Sequence, residues 1–303
     1  MTLLEIVKEF HTESASFNPP ASADDLRDLE HAFNGLPDQA FFLYEDHNGS
    51  AQNPQVGDRD IAARLMPIKE VIETQAALTM LRDSLSTIGS LAWLWTDDNS
   101  NYVGVYTDGP LHGLLCILNH EEPILIPAFR SIESFMYRLL SEARHKGQDG
   151  AYDIPSVPQD FPQSVPDVAN DESDMQLALL FRERYRSETS EDMRRLCALC
   201  SICLTPIEST AEVTPFLEDP DMWVPEAAIR LLELRSWKES TEQLEKLARE
   251  GHPNGDAAAM RFLARMNTNE SRSTIARLRQ SLQGQKLKAL EMWTRAPLHP
   301  PTW

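Results

Sequence analysis

Three of the chain's four cysteines, Cys197, Cys200 and Cys203, stand at C-x-x-C-x-x-C spacing in the stretch RRLCALCSICL. Thiolates at such spacing could hold zinc or an iron–sulfur cluster. On a helix, however, the three occupy about 120° of arc. Met193, Leu196, Leu199 and Leu204 fall in or beside that arc, with Arg194, Arg195 and Ser201 opposite. The first and last cysteine are separated by about 9 Å of axial rise, too far for ligands that each sit about 2.3 Å from one zinc ion. A ferredoxin-type run would continue with a fourth Cys and a Pro; here Ile207 holds the cysteine's place and Pro206 comes one residue early. The spacing therefore predicts buried helix core, where free Cys packs as a small hydrophobe.

The other residues able to do chemistry lie in two short polar stretches. NHEEP supplies His120, Glu121 and Glu122, WTDDN supplies Asp97 and Asp98, and His112 falls between them. An acid–base or metal site could be drawn from these. No H-E-x-x-H, G-x-S-x-G, P-loop or G-x-G-x-x-G occurs, and the His and acid spacings match no metal-ligand motif. The reading is of solvated turns at strand ends, with no catalytic, cofactor-binding or metal-binding residue expected. Trp93, Trp95 and Tyr102 read as sheet core, and His252-Pro253 as a loop between helices.

The elements that hold these residues differ between the two halves. Ser22-Ala23-Asp24-Asp25 resembles a capping box and opens a helix carrying Leu26, Leu29 and Phe33, with Gly35 suited to its C-terminal turn. Pro37 sits where a second helix starts; it runs through DQAFFLYEDH and stops at Asn48-Gly49. A third helix is expected from Ile68 to about Leu85. SLAWLWTD, NYVGVYTD and GLLCILNH follow, rich in Trp, Tyr, Val and Ile and separated by turn residues, which are strand signals. Ser131 to Glu142 returns to helical spacing. Helices, then strands, then a helix imply an α+β domain over 1–146, with helices packed on an antiparallel sheet.

Between Lys146 and Arg182 there is no Lys or Arg, and prolines stand at 155, 158, 162 and 166. Proline at this density favours extended chain, so 147–172 is read as a linker, part of which could lie against a domain. After it, amphipathic helices repeat. PEAAIRLLEL from Pro225 aligns with DAAAMRFLAR from Asp256, so that Ala228 matches Ala259. The same 31-residue offset sets Val213 on Leu244 and Ile275, and Phe216 on Leu247 and Leu278. A third copy near KLKALEMW aligns only with a one-residue gap. A helix pair recurring at this period predicts an all-α, solenoid-like domain over 173–303.

The net charge of −19 argues against nucleic acid as a direct partner. Residues 1–150 carry 23 acids against 10 bases, whereas 251–303 carry 3 acids against 8 bases. The acidic half favours long-range attraction to a basic protein. MTLLEIVKEF lacks a basic n-region and is not read as a signal peptide. No apolar run reaches the roughly 20 residues of a membrane span, and four scattered cysteines do not suggest a disulfide scaffold. The expected compartment is the cytoplasm.

DDLRDLEHAFNGLPDQAFFLYEDHNGS, Asp24 to Ser50, resembles the opening signature of the SUKH superfamily, the SMI/KNR-type domain. The resemblance rests on Glu30, Phe33, Leu36-Pro37, Phe41-Phe42-Leu43 and Asn48-Gly49 in that order. RLMPIKEVIE, the strands with Trp93 and Trp95, and FRSIESFMYRLL continue it to about residue 145; the long HNGSAQNPQVGDRD loop and the NHEEP turn depart from it. The second half resembles HEAT-type repeats, which bind proteins along a groove. What the resemblance implies is a non-enzymatic bacterial immunity protein that binds and neutralises a polymorphic toxin, often a nuclease and then basic. Loop position gives Asp46, Asp58, Asp97, Asp98, Glu121 and Glu122 as candidate partner contacts. The alternatives are a regulatory scaffold working through the repeats and a metal-dependent hydrolase using His112, His120 and nearby acids.

Overall fold

The capping box at Ser22 forms. In the computed structural model, which describes residues 1–13, 17–53, 55–56, 59–79, 87–121, 123–145, 153–235 and 241–295, the Asp25 amide donates to Ser22 Oγ at 3.1 Å and the Ser22 amide donates back to Asp25 Oδ2 at 3.0 Å. The chain divides into two units, Met1–Phe161 and Pro162–Trp303.

The first unit carries α1 (Leu3–Glu13), α2 (Ala23–Ala32), α3 (Asp38–Asp46), α4 (Ile68–Thr79) and α5 (Ile132–His145). Pro37 is the N-cap of α3, and Gly35 and Gly49 take φ of +83° and +65° in the turns that follow α2 and α3. The expected extension of α4 to about Leu85 falls outside the described residues. A two-stranded ribbon, β1 (Gln55–Val56) with β2 (Arg59–Asp60), precedes a five-stranded antiparallel meander. That sheet runs in order β3 (Arg64–Leu65), β4 (Leu91–Thr96), β5 (Tyr102–Tyr106), β6 (Leu115–Leu118) and β7 (Pro127–Phe129). The three apolar runs that signalled strands form β4, β5 and β6. The edge strands β3 and β7 are too short to show alternation, so periodicity missed them; short edges are also how a sheet avoids pairing with other chains.

A bulge in β4 decides how the sheet is covered. Trp93 pairs with Gly104 but Trp95 with Val103, a one-residue register shift. Strict alternation would set both tryptophans on one face; the bulge sends them to opposite faces. Trp95 meets Phe135 of α5 edge-on, ring centroids 5.1 Å apart. Trp93 lies over Gly104, where a Cβ would come within 2.7 Å of the indole ring. Trp93, Phe33 at the C-cap of α2 and Leu78 of α4 line a cavity of about 500 Å³. Helices therefore cover both faces, which explains why all six residues of β4 are buried.

Of the stretch read as a linker, 153–161 is laid against this unit. Ile154, Val157 and Phe161 are buried. Asp160 accepts from the Arg130 amide at 3.0 Å and from the Arg138 guanidinium. Proline density forbade ladder pairing but not packing.

Every described element after Pro162 is helical: α6 (Asp171–Ser187), α7 (Glu191–Leu204), a 3₁₀ stretch (Ile207–Glu218), α8 (Trp223–Leu234), α9 (Thr241–Glu250), α10 (Pro253–Met266), α11 (Asn269–Ser281) and α12 (Gly284–Arg295). The 31-residue pattern lies in the core. Val213, Leu244 and Ile275 are buried, as are Phe216, Leu247 and Leu278. Ala228, Ala259 and Leu290 are all fully buried, so the last copy keeps the 31-residue offset and needs no gap, contrary to the sequence alignment. Adjacent copies are also tied by polar contacts at nearly the same separation: Arg182 to Glu212, Lys246 to Glu218 and Arg277 to Glu245. Among the described residues no helix is long and apolar enough to cross a membrane.

The three cysteines lie in α7 and are buried, as expected of helix core. Burial pushes the Cys203 and Cys197 thiols up. Ser201, expected on the polar side, is instead buried and donates to the Ala178 carbonyl at 2.8 Å. Helix α6 covers that side of α7, which single-helix periodicity does not register.

Candidate functional site

One end of the five-stranded sheet gathers three of the four described residues singled out as contacts. β4 ends there, β5 begins there, β6 ends there and β3 begins there, so the turns holding Asp97, Asp98 and Glu121 meet at that end.

The β4–β5 turn is built around Asp97. Its Oδ1 accepts from the Asn99 amide at 2.8 Å and the Asn101 amide at 3.2 Å. Its Oδ2 accepts from Asn101 Nδ2 at 2.7 Å and the Ile154 amide at 3.3 Å. Short Asp and Asn side chains close such turns on their own backbone. Asp97 is buried, so it shapes the turn rather than offering a free carboxylate. Asp98 and Ser100 take φ of +60° and +65°, a left-handed conformation uncommon outside glycine that needs surrounding bonds to hold it.

Arg64 supplies those bonds to Asp98. It begins β3, and its side chain is only 8% exposed while those of Asp98 and Glu70 are 52% and 37% exposed. Arg64 Nε donates to Asp98 Oδ2 at 2.9 Å and Nη2 to Asp98 Oδ1 at 2.7 Å. On its other edge Nη1 and Nη2 donate to Glu70 at 2.9 and 2.7 Å, and Nη1 also reaches the Ser50 carbonyl at 3.1 Å. A planar guanidinium can hold two carboxylates in this way and a lysine cannot. Donation to Asp98 and then to Glu70 raises the Arg64 pKa further. One cation serves two carboxylates, so the end of the sheet keeps an excess of negative charge. Tyr102, at the start of β5, registers it: its pKa is raised by burial and then by Glu70, Asp98 and Asp97.

Glu121 is exposed on the neighbouring turn, whose amide donates to Asn119 Oδ1 at 3.0 Å. The two turns are joined through Asn101, whose Oδ1 accepts from the His120 amide at 3.1 Å and lies 2.8 Å from His120 Nδ1. Asp46 is positioned by α3, with its carboxylate 3.0 Å from His47 Nδ1. Asp58 and Glu122 lie outside the described residues. His112 Nε2 is 2.7 Å from the Gly35 carbonyl, so the two histidines are held by different partners. Among the described residues no group of three or more His, Cys, Asp and Glu is arranged to hold a metal ion.

Sequence reasoning missed Arg64, Glu70 and Asn101. Arg64 and Asp98 are 34 residues apart, and no local pattern marks an arginine that will close a distant turn.

No protein-family model matches the chain, and no curated protein matches it.

Proposed function

We propose that the chain is a non-enzymatic, cytoplasmic immunity protein, with a SUKH-like first domain and HEAT-like repeats in the second, that binds and neutralises a toxin domain of basic character such as a nuclease. The observation that carries this reading is the pre-organised acidic end of the sheet. Asp98 and Glu70 are held by Arg64 with about half and a third of their side-chain surface open, beside an exposed Glu121. Rigid carboxylates favour fast, oriented association with a basic surface and lose little entropy on binding. Asp97 accepts from amides, and His112 and His120 are held on the carbonyl oxygens of Gly35 and the Asn101 side chain. The second reading, a regulatory scaffold working through the repeats, draws its support from the 31-residue stacking of helix pairs.

The test is to capture the partner at low salt and measure its affinity for Glu121→Lys and Asp98→Asn across a salt series. The immunity reading expects weaker binding and a shallower salt dependence for both variants. Unchanged affinity and slope for both would refute the proposed surface.

A further inference from the structure

The basic C-terminal quarter is not used by the surface just described, and its charge is organised. By the 31-residue offset, Arg230 on α8, Arg261 on α10 and Met292 on α12 hold the same place in successive pairs. Around Arg230 stand Glu226 and Glu233; around Met292, at the same spacing, stand Lys288 and Arg295, the latter 3.6 Å from the partly exposed Glu291 carboxylate beside it. The stripe therefore becomes more positive toward α12. At its middle a single carboxylate is divided between two arginines: Glu233, 3% exposed, accepts from Arg261 at 3.0 Å and from Arg265 at 2.8 Å. One positive charge is left over. Arg261 is fixed further by lying over the Trp293 ring, 5.7 Å from its centroid.

The same stripe holds N–H donors without acceptors. Arg230 Nε, Arg265 Nε and Trp293 Nε1 are buried and make no hydrogen bond among the described residues. Buried donors are nearly always paired, so these three, on three helices of one layer, add unmet donor capacity to the surplus charge beside them. The stripe is recessed on α10, where none of the described side chains is exposed, whereas α11 exposes Arg272, Arg277 and Arg279.

We infer that the face of α8, α10 and α12 is a docking surface for an acidic protein segment, with a partner Asp or Glu carboxylate received beside Arg265 and further acids drawn toward Lys288 and Arg295. The inference is independent of the immunity reading, which concerns the opposite charge on the other unit. The excess charge is small and sits at discrete points. That suits separate carboxylates; a nucleic-acid backbone requires many clustered cations.

The test uses the full chain and a fluorescein-labelled peptide of repeated Glu-Ala, read by anisotropy at about 50 mM and about 300 mM salt. A Gln-Ala peptide and a DNA duplex of similar length are titrated alongside. Saturable binding of the Glu peptide is expected, weakened by salt and absent for the Gln peptide. Arg265→Gln, which leaves Arg261 on Glu233, should weaken it roughly tenfold or more, as loss of a charge-assisted contact does. Lys288→Glu, an exposed position, should weaken it as well and serves if Arg265→Gln disturbs the fold. Equal binding of both peptides, no change in Lys288→Glu, or a duplex that binds more tightly than the Glu peptide would each overturn the inference, the last in favour of nucleic acid.

Discussion

Replacing Arg64 by Leu removes the guanidinium between Asp98 and Glu70 while keeping an apolar stem at the start of β3. Breaking a fully buried ion pair costs about 3–5 kcal/mol. Here the two carboxylates regain water, being 52% and 37% exposed, so most of that cost is recovered. What is not recovered is the bond to the carbonyl of fully buried Ser50, worth about 1 kcal/mol, and the support for left-handed Asp98, a conformation costing about 1–2 kcal/mol. The expected loss is about 2–3 kcal/mol. Over a unit of this size that is roughly 5–10 °C in melting temperature. Arg64→Lys should recover less than half, because an ammonium cannot bridge both carboxylates. Added salt should narrow the gap by screening Asp98 from Glu70. The assay is thermal unfolding of the full chain, followed in the transition that reports Trp93 and Trp95. If Arg64→Leu melts within about a degree of the parent, the clamp does not hold the turn and the argument for a pre-organised acidic surface fails with it.

Gly104→Ala would drive a methyl to 2.7 Å from the ring of nearly buried Trp93, and should lower the urea midpoint by the equivalent of about 1–3 kcal/mol; an unchanged midpoint would mean the bulge does not fix that indole. Glu245 has its pKa lowered chiefly by the hydrogen bond from Arg277, with Arg249 adding to it. Its stabilising effect is therefore present above its ordinary value of 4.5 and lost as pH falls through the lower folded value. Glu245→Gln should destabilise the protein at neutral pH and lose that deficit on acidification, as read from urea unfolding at stepped pH. The four cysteines are buried, with the Cys116 thiol pushed up to about 12 by burial, so Ellman's reagent should report almost no thiol in the native protein and all four on unfolding. Rapid release from the folded chain would contradict the placement of α7.

Local chemistry in the sequence was enough for the parts of the fold that depend on neighbours along the chain. Ser22 and Asp25 cap a helix because they are three residues apart, and Pro37 starts the next because it needs no amide partner there. The 31-residue period was visible because each copy presents the same apolar positions to its neighbours, and the buried series Val213, Leu244 and Ile275 follows from that. The acids at the turns were legible as strand-end residues. Their roles were not: Asp97 and Asp98 are adjacent in sequence, yet one is consumed in closing the turn and the other half-open on a guanidinium.

By itself, the sequence determined that strands are followed by repeating helix pairs, that charge is negative early and positive late, and that three cysteines pack as apolar side chains on one helix. These follow from spacing and from residue type, which act over a few positions. Only the tertiary structure decided that a bulge would part Trp93 from Trp95, that α6 would bury Ser201, and that Arg64 would reach Asp98 and Glu70 at once. Each depends on groups brought together from distant parts of the chain, and their energy is set by burial and geometry that no local pattern encodes.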